Sequence, residues 1–163
     1  MKQVTVFGVV VSITMYATAA IDVFPVCTSS GNQRYPTVGD NAIIWQDERN
    51  GNRDIYGYDL ITEQEFVICT ASGHQQYPKI SGSIIVWQDG RNSSMTGNDI
   101  YGYNRLSQQE FAICTASGGQ QFPAISNGIV VWYDTRNSAT GNDIYGYDIA
   151  GESEFVICDD EGS

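Results

Sequence analysis

Short apolar runs separated by polar turn residues make up most of this 163-residue chain. The middle of the chain shows the pattern most clearly, with runs at about 77–80, 84–88, 99–103 and 110–114 that are rich in Ile, Val, Trp, Tyr and Phe. The apolar positions do not recur at the spacing of a helix, and Gly, Asn, Asp, Ser and Pro lie between the runs. This pattern predicts short β-strands joined by tight turns.

The four-run pattern occurs three times. Two residue types recur at fixed places of the repeat: tryptophan at Trp45, Trp87 and Trp132, and cysteine at Cys27, Cys69, Cys114 and Cys158. The period is therefore 42 to 45 residues, and a four-stranded unit of that size is one blade of a propeller. Because runs such as 84–87 are apolar on both faces, they favour a sheet packed between two others. We expect blades at about 33–72, 75–117 and 120–158.

The ends of the array raise the question of closure. Residues 24–31 repeat the pattern of residues 66–73, so they predict a lone last strand with no blade of its own. The predicted fold class is all-β: a propeller segment of three four-stranded blades plus one extra N-terminal strand. Propellers usually have four to eight blades, and three leave apolar faces open. Two chains could complete a six-bladed ring, or the chain could be part of a longer array, which the abrupt end after residue 158 favours.

The repeated residues resemble a known family. Each copy has a proline that opens the first strand, an apolar run ending in Trp-x-Asp, an Arg-Asn turn, and Asp-Ile-Tyr-Gly-Tyr. This pattern is similar to the TolB-like (WD40-like, PD40) β-propeller repeat of exported prokaryotic cell-surface proteins, over residues 22–158. A eukaryotic-type WD40 repeat is not supported, because the Trp-Asp dipeptide that ends its blades is absent. The resemblance implies a fold more than a function, because such propellers serve as binding scaffolds, accessory domains of hydrolases and parts of envelope complexes.

The first 20 residues predict a secretory signal peptide. Lys2 precedes a largely apolar stretch at 4–15, and Ala17-Thr18-Ala19 matches a small-x-small cleavage site. A membrane anchor is the competing interpretation, but it needs about 20 continuous apolar residues, and Ser12 and Thr14 interrupt this run. We therefore expect a secreted, periplasmic or cell-surface protein whose propeller segment occupies residues 21–163.

Charge narrows the choice of partners. The chain has 19 acidic and 8 basic residues, a net charge of −11, whereas binding to nucleic acid or to an anionic membrane needs clustered cations. Neither partner is expected, nor is membrane insertion after signal cleavage. The four cysteines are equivalent positions of neighbouring blades, which should lie too far apart for disulfides, so we expect small buried side chains. No zinc motif or other cofactor signature is present.

The turn between the second and third strands of each copy carries the candidate site. It repeats Asp, Arg, Asn, Gly, Asn and Asp, although its length varies by three residues. The candidate binding residues are Asp47, Arg49, Asp54, Asp89, Arg91, Asp99, Asp134, Arg136 and Asp143. One interpretation is structural, with each Asp capping turn amides or pairing with the Arg. Calcium is a second, although the arginines occupy a ligand position, and ligand recognition on a shared rim is the third.

Two further features bear on function. Asn92-Ser93-Ser94 forms an acceptor sequence for N-glycosylation at Asn92. The sequence has no nucleophile elbow, no metalloprotease motif and no phosphate loop, and its single histidine, His74, leaves no base network. We therefore predict no catalytic residue and no enzyme activity.

The function predicted from the sequence is a binding or scaffold module that recognises envelope proteins or glycans through rim loops. A homodimer that completes a six-bladed ring is a further expectation. The alternatives are an accessory propeller of a peptidase or polysaccharide-degrading enzyme, and a structural surface-layer protein.

Overall fold

The computed structural model describes residues 23–137 and 141–158. Twelve strands and no helix occur in these two ranges, which confirms the all-β prediction. The strands are β1 (Gln33–Gly39), β2 (Ala42–Asp47), β3 (Asp54–Asp59), β4 (Gln64–Cys69), β5 (Gln75–Ser81), β6 (Ile84–Asp89), β7 (Asp99–Asn104), β8 (Gln109–Cys114), β9 (Gln120–Ser126), β10 (Ile129–Asp134), β11 (Asp143–Asp148) and β12 (Ser153–Cys158). The signal peptide predicted at 1–20 lies outside the described residues.

The strands form three separate antiparallel sheets of four, each in simple chain order. We call them blade 1 (β1–β4), blade 2 (β5–β8) and blade 3 (β9–β12). The innermost strands β1, β5 and β9 contact one another in sequence, as expected around a propeller axis. The described residues contain no helix long and apolar enough to cross a membrane.

The hydrophobic core lies between the blades. Ile55 and Ile68 of blade 1 pack with Ile85 and Trp87 of blade 2, and the second junction repeats the arrangement with the next blade. Ile44, Ile85 and Trp87 are fully buried. A central blade therefore buries apolar side chains on both faces, which explains why its strands do not alternate cleanly between apolar and polar residues.

The glycine in the third strand makes room for a side chain of its own blade. A Cβ at Gly102 would lie 2.6 Å from the ring of Phe111, and these two residues are register partners on β7 and β8. Gly57 and Gly146 have the same relation to Phe66 and Phe155. The sequence, in which Gly102 lies between Tyr101 and Tyr103, predicts room for a large side chain from the next blade. That prediction is wrong, because the neighbouring strand of the same blade already places an aromatic ring across the glycine.

The extra N-terminal strand is also not formed, since residues 23–32 belong to no strand. A strand needs a partner, and no third strand of a preceding blade lies beside these residues within the described part of the chain. Cys27 nevertheless lies against Arg49 with an Sγ–Nη2 distance of 3.1 Å. Cys69 and Cys114 contact the arginines of the following blades at 3.2 and 3.1 Å. The segment therefore takes the place of a last strand without pairing as one.

The antiparallel order places the loops at two opposite edges. The turns between the second and third strands, at 48–53, at 90–98 and at 135–137 with 141–142, lie beside the links between blades at 70–74 and 115–119. We call this edge the turn rim. Backbone hydrogen bonds join the two sets, such as Gly90 N to His74 O at 2.8 Å. The opposite edge, the hairpin rim, contains the tips at 60–63, 105–108 and 149–152.

Candidate functional site

Two aspartates frame each turn of the turn rim. The first ends the second strand and the second begins the third, so the two are direct register partners, as in Asp89 and Asp99. The same pairing joins Asp47 to Asp54 and Asp134 to Asp143. All six side chains are at most 1% exposed, so the polar ends of two central strands are drawn into the protein.

The first aspartate of each turn accepts three kinds of hydrogen bond. In blade 2, Asp89 Oδ2 accepts from Trp87 Nε1 at 2.8 Å and from Arg91 Nη2 at 2.8 Å, while its Oδ1 accepts from the Arg91 backbone N at 2.8 Å. Blades 1 and 3 repeat these contacts within 0.1 Å. The Trp-x-Asp-x-Arg spacing therefore encodes one closed polar unit, in which the carboxylate satisfies the buried indole N–H.

The arginine of the turn connects this unit to the rest of the blade and to the neighbouring blade. Arg91 Nη1 donates to Glu110 of β8 at 2.6 Å, and its Nη2 lies 3.2 Å from Cys69 Sγ of blade 1. The guanidinium also stacks over the Tyr101 ring at 4.1 Å from the centroid. Arg49 and Arg136 make the same set of contacts. A planar guanidinium suits this role because it donates in several directions while stacking on an aromatic face.

The second aspartate is held by asparagines instead of a cation. Asp54 accepts from Asn50 Nδ2 at 2.8 Å and from Asn52 Nδ2 at 2.9 Å. Burial raises the pKa of Asp54, and these two amide bonds oppose that shift only in part. Thr96 replaces one amide in blade 2, where its Oγ1 donates to Asp99 Oδ1 at 2.9 Å.

Asp47 and Asp134 differ from Asp54 in the direction of their pKa shifts. Burial alone would raise the pKa of Asp47, but the hydrogen bonds from Arg49 and Trp45 outweigh it and hold that pKa below its usual value. Asp134 has a lowered pKa for the same reason. Both carboxylates are therefore ionised partners of an arginine near neutral pH, and neither is set up as a proton donor.

The cysteines of the last strands belong to these clusters. Cys69 and Cys114 are buried, and burial raises the pKa of each thiol to about 12. All four cysteines are free thiols in the structure. Each buried sulfur accepts weakly from an arginine, which gives a polar contact between neighbouring blades.

The structure thus brings each predicted trio of Asp, Arg and Asp into one turn, but buries the carboxylates. Sequence reasoning missed the partners outside the turn, namely Glu65, Glu110 and Glu154, the cysteines, and the tyrosines under the arginines. Their recurrence at one repeat position is the signal that identifies them. No group of three or more His, Cys, Asp or Glu side chains among the described residues is arranged to hold a metal ion. Calcium at these turns therefore gains no support.

Asn92, the predicted glycosylation site, is half-buried in the second turn. Its Nδ2 donates to Asp99 Oδ2 at 3.0 Å, so the nitrogen that would carry a glycan is engaged inside the turn. Glycosylation stays a prediction, as does direct ligand binding by the turn residues.

Comparison with known proteins identifies the fold. A TolB structure from Acinetobacter baumannii matches with a TM-score of 0.60 at 21% identity, over 80% of this chain and 33% of that one. A putative TolB from Agrobacterium tumefaciens matches with a TM-score of 0.56 at 17% identity, over 71% of this chain and 44% of that one. The β-propeller domain of the trilobed protease from Pyrococcus furiosus matches with a TM-score of 0.61 at 11% identity, over 81% and 45%.

No family model and no curated protein matches the sequence. At these identities the likeness concerns fold alone, and it confirms the TolB-like β-propeller prediction at that level. The chain spans less than half the length of each of these structures, so it corresponds to part of a propeller.

Proposed function

We propose that this chain is an exported, non-catalytic binding module that recognises an envelope protein or a glycan through its turn rim. The observation that carries the proposal is the threefold repetition of the buried Asp–Arg–Glu–Cys cluster. Each cluster anchors the start of one turn to the last strand of its blade and to a cysteine that precedes the blade, so the three turns begin in the same way along one edge. A surface held this rigidly loses little conformational entropy when a ligand binds.

The environment of the acidic groups supports a non-catalytic role. A catalytic pair of carboxylates must reach the bond of the substrate that is broken, whereas both aspartates of each turn are at most 1% exposed. Here the first aspartate of each turn is paired with an arginine in all three blades, and the second is bonded by neutral side chains. These contacts serve the turn itself.

Because the aspartates are buried, we propose that they position the turn and that exposed loop residues contact the ligand. Met95, at the tip of the second turn, is 77% exposed. His74 is exposed on the adjacent link. The candidate residues Asp89 and Arg91 would then act through the loop that they hold.

Retention on envelope material tests this proposal. Labelled protein from residue 20 onward is incubated with envelope fractions of the source organism. The fractions are used untreated, after protease digestion of their proteins, and after periodate oxidation of their glycans. Met95→Asp should abolish most of the saturable binding, whereas Leu106→Asp, an equally exposed change on the hairpin rim, should leave it intact. No saturable binding by the unmodified chain, or loss of binding only with Leu106→Asp, would contradict the proposal.

Two alternatives place the chain in a larger context. The likeness to the propeller domain of a protease favours an accessory propeller of a peptidase or polysaccharide-degrading enzyme, whose catalytic part lies outside these residues. A reading frame that continues into a catalytic domain would favour it. Ordered self-assembly into layers would favour a structural surface-layer protein instead.

The exposed face of blade 3 is the basis for proposing a homodimer. Ile157 on β12 is 53% exposed, whereas its equivalents Ile68 and Ile113 are 7% exposed at the junctions between blades. A second copy that packed its blade 1 on this face would bring its own Arg49 toward Cys158. Cys27 would then have to leave Arg49, because both sulfurs compete for one guanidinium.

A further inference from the structure

Three aromatic rings form a continuous row across the inner strands of the three blades. Tyr35, Tyr77 and Phe122, which we call the aromatic row, each stand directly before a proline in their blade's first strand. The ring centroids of Tyr35 and Tyr77 are 4.7 Å apart, and those of Tyr77 and Phe122 are 4.8 Å apart. Tyr35 is 46% and Phe122 56% exposed. The row is thus an aromatic surface that solvent reaches.

The backbone holds this row in an unfavourable conformation. The three residues have φ angles of 52°, 55° and 52°, at bulges in the pairing of the first two strands. A left-handed conformation costs a residue with a side chain roughly 1–2 kcal/mol, and glycine would avoid that cost. Two aromatic contacts of about 0.5–1.5 kcal/mol each offset the strain of three residues only in part. Packing within the row therefore does not account for aromatic residues at all three positions.

Two exposed cations accompany the row. Arg34 precedes Tyr35 on β1, and Lys79 follows two residues after Tyr77 on β5. Every other cation of the described residues makes an ion pair with a carboxylate within 4 Å, whereas Arg34 and Lys79 make none. The positive charge of Arg34 helps to lower the pKa of Glu48. Glu48 already accepts hydrogen bonds from Arg53 and Asn32. The two available positive charges of a strongly acidic chain therefore lie on the strands that carry the row.

Side-chain amides complete the surface. Gln76 and Gln121 precede the second and third rings, are half-buried, and make no side-chain hydrogen bond within the described part of the chain. A primary amide both donates and accepts, so it can bond to hydroxyl groups in either direction. Aromatic faces, free amides and two isolated cations thus occur together along one row.

These features define the chemistry of a ligand. The negative face of an aromatic ring attracts the C–H faces of a sugar, amides bond to its hydroxyls, and a cation pairs with a carboxylate. A polyanion is disfavoured, because the net charge of −11 repels it everywhere except at these two cations. This also excludes single-stranded nucleic acid, which uses a similar combination of rings and cations. A ligand made mostly of neutral sugars with sparse carboxylates fits best.

We propose that the aromatic row binds a glycan in which an occasional uronic acid interrupts neutral sugars. This inference rests on the proposed function, since it names the ligand class for the edge at which the binding module acts. Sugar rings would lie on Tyr35, Tyr77 and Phe122, and the uronate would reach Lys79 or Arg34.

The test compares two oligosaccharides of equal length by calorimetry at low salt. One is xylotetraose, and the other is a xylotriose that carries one glucuronic acid. The uronate-bearing ligand should bind at least about tenfold more tightly, the value of one charge-assisted contact. That difference should shrink in 0.5 M salt. Equal affinities, or no binding of either sugar at millimolar concentration, would overturn the inference.

Variants locate the site. Phe122→Ala should weaken both sugars by about fivefold or more, as loss of a stacking ring does elsewhere. Lys79→Gln should weaken only the uronate-bearing one. Leu106→Ala, exposed on the hairpin rim, is the matched control, and each variant is first checked for an unchanged unfolding midpoint. If Phe122→Ala and Lys79→Gln both bind like the unmodified chain, the site lies elsewhere and the inference is wrong.

A peptide ligand is the remaining possibility, because proline-rich peptides also bind to aromatic surfaces. A proline-rich peptide with one glutamate tests it. Tighter binding of this peptide than of the uronate-bearing sugar would replace the glycan with a peptide ligand. If neither ligand binds but the chain is still retained on envelope fractions, this inference fails and the proposed function stands. Loss of retention as well would remove both.

Discussion

The last strands of blades 2 and 3 have nearly the same sequence but very different surroundings. β8 ends in Phe-Ala-Ile-Cys and β12 in Phe-Val-Ile-Cys. Ile113 of β8 is 7% exposed, whereas its equivalent in β12, Ile157, is 53% exposed. Cys114 is buried against Arg136 of the next blade, whereas Cys158 is exposed.

This comparison shows that the burial of a blade face depends on its neighbour and not on the blade's own residues. Each sheet carries the apolar strip and the sulfur, and the following blade supplies a tryptophan and an arginine to cover them. Stability should therefore be a sum of blade and junction contributions, as in other repeat proteins. It also follows that the same substitution has different effects at a closed junction and at the open face.

The largest effect is expected at the arginine of a closed junction. Arg91→Met should lower the free energy of unfolding by about 3–5 kcal/mol, because it leaves the buried Asp89 without its partner. Urea denaturation followed by tryptophan fluorescence measures the loss. Arg53→Met is the control, since its partner Glu48 is 24% exposed whereas Asp89 is fully buried, so that this pair is worth at most about 1 kcal/mol. Equal losses for both variants would mean that the cluster does not hold the junction.

A matched pair of isoleucines probes the two faces directly. Ile113→Ala should cost about 2–4 kcal/mol because it leaves a cavity between two blades. Ile157→Ala should lower the free energy of unfolding by less than about 1 kcal/mol, since about half of the Ile157 side chain is already exposed to solvent. Both values come from urea unfolding at one low protein concentration. A cost for Ile157→Ala that matches Ile113→Ala would show that the face of blade 3 is covered in solution.

Thiol reactivity distinguishes the same two faces without mutation. At pH 8, Cys158 should react with a soluble disulfide reagent at least about a hundredfold faster than Cys69 and Cys114, whose access requires the junction to open. Burial also raises the pKa of both protected thiols to about 12. Mass spectrometry of the labelled peptides at successive times assigns each rate. Protection of Cys158 equal to that of Cys114 would contradict an open face.

Acid should weaken the closed junctions by a smaller amount. The pKa values of Asp47 and Asp134 lie below the usual 3.8, so their contribution is present above that value and is lost as the pH falls through the lowered pKa. Asp54, with its raised pKa, changes stability in the opposite sense and offsets part of this loss. We expect the free energy of unfolding to fall as the pH is lowered below about 4.

Asp134→Asn is the control for the acid effect. It removes one of the carboxylates whose pKa is lowered, so the decline of stability with falling pH should become shallower. An unchanged slope would show that the decline comes from other groups.

Much of the fold could be predicted because the three copies of the repeat can be compared with one another. Trp45, Trp87 and Trp132 set the period, and the period set the number of strands per blade. Gly102 was misjudged because strand periodicity does not reveal which neighbouring strand places a ring over a glycine. The strand near Cys27 was also predicted wrongly, since sequence similarity to a strand does not provide the partner that a strand needs.

The candidate site was predicted only in part for a related reason. The pairing of Asp89 with Arg91 is local and follows from the turn. The contact of Arg91 with Cys69 joins residues 22 positions apart in different blades, and only the packing of the blades brings them together. The contacts between the rings of the aromatic row could not be predicted, because nothing in the sequence gives the distance between one blade's inner strand and the next.

The most direct test of the account is the solution mass of the chain from residue 20 onward, by light scattering coupled to size exclusion over a wide concentration range. We expect association that increases with concentration and is weakened by Ile157→Asp, because no other part of residues 23–137 and 141–158 covers the face of blade 3. A monomer at every concentration that binds no dye for exposed apolar surface would contradict the account, since it would mean that the face of blade 3 is already covered within a single chain.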